Sequence, residues 1–383
     1  MKLKPKLRFS EFNGNWKTQK LSDVATVKRG VSKHRPRNAK FLYGGDFPFI
    51  QTGDIRNAGL YITEFTQTYS KKGVAQSKIW DEGTLCVTIA ANIAETSILK
   101  IKACFPDSII GLIPDRQKTS SLFLKYQFDK FKIDIQKLSQ GVAQDNLNQE
   151  KLSKIEFNLP TLPEQQKIAT FLTTVDEKIN LLKTQKSELE RYKKGVMQKI
   201  FSQKLRFKDK DGKEFPKWEE QRLNELANIY QPKTISQTEL KEEGYDVYGA
   251  NGIIGKYHKF NHEFEQIAIT CRGNTCGTVN YTKSKSWITG NAMVINLDKN
   301  ENVFKRFLYY LLSNTNFTYL ITGSGQPQIT GNIGTHKVKL PCFEEQTKIA
   351  KFLYALDEKI ALNGEQITKM EVWKKGLLQQ MFV

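Results

Sequence analysis

Residues 159–201 read LPTLPEQQKIATFLTTVDEKINLLKTQKSELERYKKGVMQKIF, and residues 340–382 read LPCFEEQTKIAKFLYALDEKIALNGEQITKMEVWKKGLLQQMF. Aligned without a gap at an offset of 181, they agree at 21 of 43 positions. Chance does not produce that, so the chain is an internal duplication.

Each copy has the period of one long helix with a heptad seam. In the first, Ile168, Leu172, Val175, Ile179, Leu182, Leu189, Val196 and Ile200 alternate steps of four and three, interrupted by Lys186 and Lys193. The second repeats the stripe through Ile349, Leu353, Leu356, Ile360, Ile367, Met370, Leu377 and Met381. Asn363 and Ile367 stand where the first copy has Leu182 and Lys186, so each polar seam residue aligns with an apolar one. The pattern predicts two helices that pair with each other. Thr161 and Glu164 form a capping box with Pro163 in the first turn, a start signal the second copy lacks. A helix from Pro163 to Phe201 is about 58 Å long at about 1.5 Å per residue, longer than the roughly 34 Å of one DNA turn. It is long enough to space two DNA-reading bodies.

Composition supports a polyanion partner. The 383 residues carry 59 Lys and Arg against 40 Asp and Glu, a formal charge of +19. Residues 1–158 hold 26 cations against 15 anions, whereas residues 340–383 hold six of each. The excess lies in the bodies, not the final helix, which suits DNA bound by the globular parts and protein bound by the helices. Five scattered cysteines argue against a disulfide framework. No apolar run follows MKLKPKLRF, and residues 307–321 are too polar and short to span a bilayer. The expectation is a cytoplasmic protein.

The duplication extends beyond the helices. Lys6-Leu-Arg-Phe9, Trp16 and Leu21 to Ala25 recur as Lys204-Leu-Arg-Phe207, Trp218 and Leu223 to Ala227. Inside the bodies the likeness is faint but ordered. Thr88 to Asn92 matches Thr270 to Asn274, and Gly141 to Gln144 matches Gly323 to Gln326. Alternating patterns predict strands over 47–55, 84–90 and 109–114, with a helix over 122–131. In the second body they predict strands over 266–271, 278–282 and 288–296, with a helix over 303–312. The fold class is therefore mixed α/β: two globular bodies, residues 1–158 and 202–339, separated by two long antiparallel coiled-coil helices, residues 159–201 and 340–383, in a pseudo-two-fold repeat.

Residues 28–40, KRGVSKHRPRNAK, place six cations and a histidine in thirteen positions with no acid. Gly30 and Pro36 make this a loop, and a basic loop suits phosphate and guanine edges. The DNA-binding candidates here are Lys28, Arg29, Lys33, His34, Arg35, Arg37 and Lys40. In the second body they are Arg272, Asn274, Lys283, Lys285, Gln326 and Gln328, amides being able to pair with adenine. His258, His262, Cys271 and Cys276 have spacings within reach of zinc, but the cysteines bracket a strand end and the first body has no counterpart. We read them as free thiols and surface histidines, with no metal assigned. No Pro-Pro dipeptide and no phosphate-loop motif occurs, and Gly252 to Lys256 has the wrong spacing for one. Pro106-Asp107 and Pro114-Asp115 have no acid-x-Lys at a workable distance, so both read as loops. No catalytic residue is assigned.

The arrangement resembles the specificity (S) subunit of bacterial Type I restriction-modification systems. The resemblance rests on Leu159-Pro160 with Pro163-Glu-Gln165 and Asp176-Glu-Lys-Ile179, repeated as Leu340-Pro341, Glu345-Gln346 and Asp357-Glu-Lys-Ile360. Phe49 to Ile55 and Tyr248 to Gly255 also look like that family's target-recognition domains. Glu344 in place of Pro163 and Gly364 in the second helix depart from the pattern. The resemblance implies a non-catalytic reader of double-stranded DNA. Each body would read half of a bipartite site, while the helices set the spacer and dock two modification subunits. S-adenosylmethionine, ATP and Mg would sit on the modification and restriction subunits, none on this chain. A stand-alone coiled-coil DNA-binding protein is the alternative; it predicts binding indifferent to sequence. A metal-dependent nuclease, a further rival, predicts DNA cleavage by the chain alone.

Overall fold

The computed structural model describes residues 4–139, 147–250, 252–323 and 327–383. The chain divides into two compact units, Met1–Lys183 with Glu365–Val383, and Thr184–Gly364. Both long helices form, as Leu162–Phe201 and Phe343–Met381. Each unit takes one body, the first part of the helix that follows it, and the last part of the other helix. The pairing is antiparallel in both. In the first unit Ile168, Leu172, Val175 and Ile179 share a core with Leu377, Met381 and Phe382. In the second, Val196, Met197 and Ile200 share one with Ile349, Leu353 and Leu356. Of the seam residues, Leu182 is also buried, while Ile360 and Ile367 are half-buried.

The first body is built on a five-stranded sheet in the order Ala25–Arg29, Ile109–Pro114, Leu85–Thr88, Thr96–Leu99, Tyr61–Ile62. All neighbours are antiparallel except the last pair. Alternation sorts the side chains. Leu85, Val87, Ile110 and Leu112 face the helix Ser121–Lys137 and the long helices, while Cys86 and Ile109 face a second cluster with Trp80 and Phe105. Gly111 falls on that second face, where a Cβ would lie 2.4 Å from the Trp80 ring. A smaller four-stranded sheet follows, Gln67–Tyr69, Tyr43–Phe49, Ala103–Cys104, Ile79–Trp80, with Phe49 stacked on Tyr69 at 3.8 Å.

The second body repeats the frame. Its four-stranded sheet runs Asn228–Tyr230, Ala292–Asn296, Ile267–Thr270, Val279–Tyr281, the order of the first four strands of the other body. Ile267, Ile269, Met293 and Ile295 face the helices, including Lys305–Ser313, and Ala268 and Val294 face Tyr248 and Ile288. Each body is closed by a two-stranded ribbon leading into its long helix, Lys17–Lys20 with Glu156–Leu159, and Glu219–Arg222 with Lys337–Leu340.

Two of the predicted strands differ. Over 47–55 the strand ends at Phe49 and Thr52–Ala58 is helical. The Asp54 carboxylate accepts from the Gln51 and Thr66 backbone N–H groups, at 2.8 and 3.2 Å, so Gly53-Asp54 opens a helix. Over 288–296 the run splits into Trp287–Ile288 and Ala292–Asn296, which belong to different sheets. Between them Gly290 passes so close to Pro232 and Thr234 that a Cβ would lie 2.8 and 2.5 Å from their oxygens.

Candidate nucleic-acid interface

The repeated motif residues bolt each body to its helix. Glu164, buried, accepts two bonds from Arg8, both 2.7 Å, and one from Trp16 Nε1 at 3.3 Å. Glu345 repeats this with Arg206, at 3.2 and 2.6 Å, and Trp218 Nε1 at 3.1 Å. The adjacent glutamines donate to the carbonyl of the Leu-Pro step, Gln165 to Pro160 at 3.0 Å and Gln346 to Pro341 at 2.9 Å. A third twin sits deeper. Tyr126 donates to Asp176 at 2.9 Å, and Lys374 lies 2.6 Å from the same carboxylate. Tyr310 donates to Asp357 at 2.6 Å, with Lys193 as its cation. Burial, ahead of the facing carboxylate, holds both phenols far above the usual tyrosine range. Lys193, which breaks the apolar stripe in sequence, is therefore a cross-helix ion pair.

With both bodies anchored alike, one end of each main sheet gathers most of the candidates. In the first body Ile109 pairs Thr88, and Ile110 pairs Arg29. The loops after Arg29, after Thr88 and before Ile109 therefore meet at one end. Lys28, Arg29, Lys33, Arg35, Arg37 and Lys40 are exposed and His34 is half-buried. His34 stands edge-on to Phe41 at 4.9 Å, and Lys40 opens the short turn Lys40–Leu42. The arginines do not project freely. Arg37 and Arg35 (3.8 Å) reach the Asp107 carboxylate, and Arg29 Nε donates to the Asp107 carbonyl. Asp107, which sequence reading placed in a loop for want of an acid-x-Lys partner, is thus the acidic residue these arginines share.

In the second body Thr270 pairs Ala292, so the loops after Tyr230, after Thr270 and before Ala292 meet at the matching end. Exposed Arg272 and Asn274 lie there, and Arg272 bridges to half-buried Gln328 while Gly273 donates to Pro327 at 3.0 Å. Lys283 and Lys285 are exposed but follow the strand Val279–Tyr281, at its opposite end. Lys283 is paired with Asp246 at 2.7 Å, which holds that carboxyl below the usual aspartate range. Gln326 lies outside the described residues.

The loops after Thr88 and Thr270 are twins. Ala94 N–H donates to Thr88 at 2.9 Å, and Gly277 N–H to Thr270 at 2.8 Å. Ala91 and Ala94 (φ 62° and 63°) take left-handed conformations, as do Gly273 and Gly277 (φ 83° and 92°). An alanine there costs about 1–2 kcal/mol. Asn92 in the first loop is the counterpart of Asn274, and the Thr88 to Asn92 match was the signal that could have added it to the candidates.

The four zinc-spaced residues do different work. His258 is exposed, but His262 is buried, correcting its reading as a surface residue. Its Nδ1 lies 2.6 Å from Asn261 Oδ1 and its Nε2 2.8 Å from the Tyr230 hydroxyl. Because Asn261 Oδ1 also accepts from Ile288 N–H, it is the acceptor, so Nδ1 carries the proton and Tyr230 donates to Nε2. Cys271 is buried against Gln231 Nε2 at 3.4 Å, and burial pushes its thiol up. Among the described residues, no group of three or more His, Cys, Asp or Glu could hold a metal ion, and no helix is long and apolar enough to cross a membrane.

The family described as Type I restriction modification DNA specificity domain matches residues 13–191 and 216–372. The chain is similar to the putative type I restriction enzyme MjaX specificity subunit of Methanocaldococcus jannaschii, 26% identical over 408 residues, covering 97% of this chain and 94% of that one. It is also similar to the type I restriction enzyme EcoprrI specificity subunit of Escherichia coli, 22% identical over 88% of this chain and 86% of that one. Among solved structures, the S subunit of a Type I restriction-modification system from M. genitalium shares the fold, with a TM-score of 0.67 at 19% identity and 99% of each chain covered. Two copies of one domain on a duplicated helical frame therefore have a family: the chain belongs to the Type I restriction-modification DNA specificity family, as a specificity subunit.

Proposed function

We propose that each body reads one half of a bipartite, asymmetric site on double-stranded DNA and that the paired helices set the unspecified spacer between the halves. Two modification subunits dock around the helices, bringing S-adenosylmethionine and the adenine-methylating site. Restriction subunits add ATP- and Mg-dependent translocation and cleavage. This chain supplies recognition and no catalytic group, and it works in the cytoplasm. One observation carries the reading: mirrored bolts anchor two bodies whose sheets share a strand order, and at the matching sheet ends the bodies carry different cations and amides. A common frame with unlike tips is what reading two different half-sites requires. Methylome sequencing of cells with and without this chain tests it. Adenine methylation at one bipartite motif should vanish on deletion. Unchanged methylation would point instead to a stand-alone DNA binder.

A further inference from the structure

We propose that Asp107 is a specificity-determining residue: an internal stand-in for a DNA phosphate that occupies Arg29, Arg35 and Arg37 until correct DNA displaces it. The inference rests on the DNA-reading role proposed above. Sequence separates Asp107 from Arg37 by 70 residues, yet the sheet end brings the loop after Arg29 and the loop before Ile109 together. There the Asp107 carboxylate takes Arg37 and, at 3.8 Å, Arg35, while Arg29 donates to its carbonyl. Arg35 also donates to the Ser32 and His34 carbonyls, at 2.6 and 2.8 Å, and Tyr43 donates to the Arg37 carbonyl at 2.7 Å. The loop thus holds its guanidinium groups near one point. Arg35 and Arg37 remain about half exposed, at 56% and 48%, whereas Asp107 is 23% exposed. Its second carboxylate oxygen is buried and has no hydrogen-bond partner among the described residues.

Guanidinium donors fit carboxylate and phosphate oxygens alike, so a phosphate arriving from solvent competes with Asp107 for the same N–H groups. Two arginines on the Asp107 carboxylate, with a third on its carbonyl, stay net positive and still attract DNA. Non-specific binding draws almost entirely on such phosphate contacts, so an internal competitor weakens it directly. At the correct site, base-edge contacts add free energy that random DNA does not offer, and the exchange goes forward. Asp107 therefore widens the gap between correct and random DNA without touching a base. Asp246 also holds two lysines in the second body, Lys283 and Lys256, at 2.7 and 3.6 Å, but Lys283 follows the far end of its strand from Arg272 and Asn274.

The test titrates the full chain against a fluorescent 40-base-pair random-sequence duplex over a salt series. Asp107→Asn should tighten binding by up to about fivefold, the equivalent of a solvent-exposed ion pair. It should also steepen the slope of log K against log salt by about 0.9 for each additional phosphate engaged. Arg37→Gln should weaken binding, and the gain from Asp107→Asn should shrink in the double variant. Asp107→Glu, which keeps the competing charge, should stay near the unaltered chain. If Arg37→Gln weakens binding but Asp107→Asn does not tighten it, the stand-in role is overturned while the DNA-reading face stands. If Arg37→Gln has no effect, the face itself is wrong. A second measurement needs no substitution at Asp107. In the unaltered chain its carboxyl carbon resonance should shift when the duplex is added, and an unmoved resonance would overturn the proposal.

Discussion

Replacing Glu345 with Gln tests the bolt that fixes a recognition body to its helix. The carboxylate is fully buried and accepts three bonds, two from Arg206 and one from Trp218. An amide keeps the shape but loses the charge and turns an N–H toward one of those donors. Removing one partner of a buried ion pair costs about 3–5 kcal/mol. Arg206 retains 22% exposure, so water takes up part of the orphaned charge, and about 2–3 kcal/mol is the appropriate size. For a unit of this length each kcal/mol moves the melting midpoint by about 2–4 °C, so the second unit should melt about 4–12 °C lower. Urea unfolding followed by tryptophan fluorescence reads the change, Trp218 being one of five tryptophans in the chain. Glu164→Gln, whose partner Arg8 is 13% exposed, should cost the first unit at least as much. In a double-mutant cycle with Arg206→Met the coupling should be about 1.5–3 kcal/mol, the range of hydrogen bonds to charged groups. An unchanged midpoint, or a coupling near zero, would show that the motif glutamates serve something other than anchoring.

Three further outcomes follow from the packing and the frame. Gly111→Ala should destabilise the first unit by about 1–3 kcal/mol, because the added methyl meets the Trp80 ring; an unshifted melting curve would contradict the close approach. His262 is held neutral by burial, which lowers its pKa from the ordinary 6.5. The unfolded chain therefore binds the proton more readily than the folded one. The second unit should be fully stabilised above pH 6.5 and lose stability as pH falls below it, and His262→Asn should flatten that acid limb in pH-dependent urea midpoints. Deleting residues 177–190 together with 358–371 removes the same two heptads from both helices, about 21 Å. The methylated motif should keep both halves with a spacer about six base pairs shorter, at about 3.4 Å per pair; a constant spacer would remove the ruler.

Much of the frame was legible because helices and repeats are local signals. The long helices, the strands at 84–90 and 109–114, and both body helices follow from periodicity in a few turns of chain. What escaped was long-range. Lys6-Leu-Arg-Phe9 and Trp16 stood out as repeated, yet nothing local says that Arg8 and Trp16 converge on Glu164 some 150 residues later. Lys193 read as a flaw in an apolar stripe because its partner, Asp357, is on the other helix. The basic loop read as a bare phosphate clamp because its anion, Asp107, comes from a different strand connection. The run at 288–296 read as one strand because close passage of Pro232 past Gly290 leaves no trace in composition.

The two faces of each sheet explain how the halves diverged without losing the frame. Strand alternation gives every strand one side locked to the helices, as with Leu85 and Val87 or Ile267 and Ile269, and one side free of them. On the free side the bodies are unlike: one packs Trp80 and Phe105 against its sheet, the other Tyr248 and Ile288. At the strand ends Ile89, Ala94, Cys271 and Ile329 belong to the helix-side cores, while nearby exposed positions carry arginines in one body and Arg272 and Asn274, beside half-buried Gln328, in the other. If those ends face DNA, as proposed, a change there alters what the DNA meets and leaves the Glu-Arg-Trp bolts and Tyr-Asp-Lys triads alone, because among the described residues no side chain is shared between them. Recognition can therefore vary one half at a time. The left-handed loops after Thr88 and Thr270 are the exception that bounds this freedom, since both bodies keep that backbone even where alanine must bear the strain.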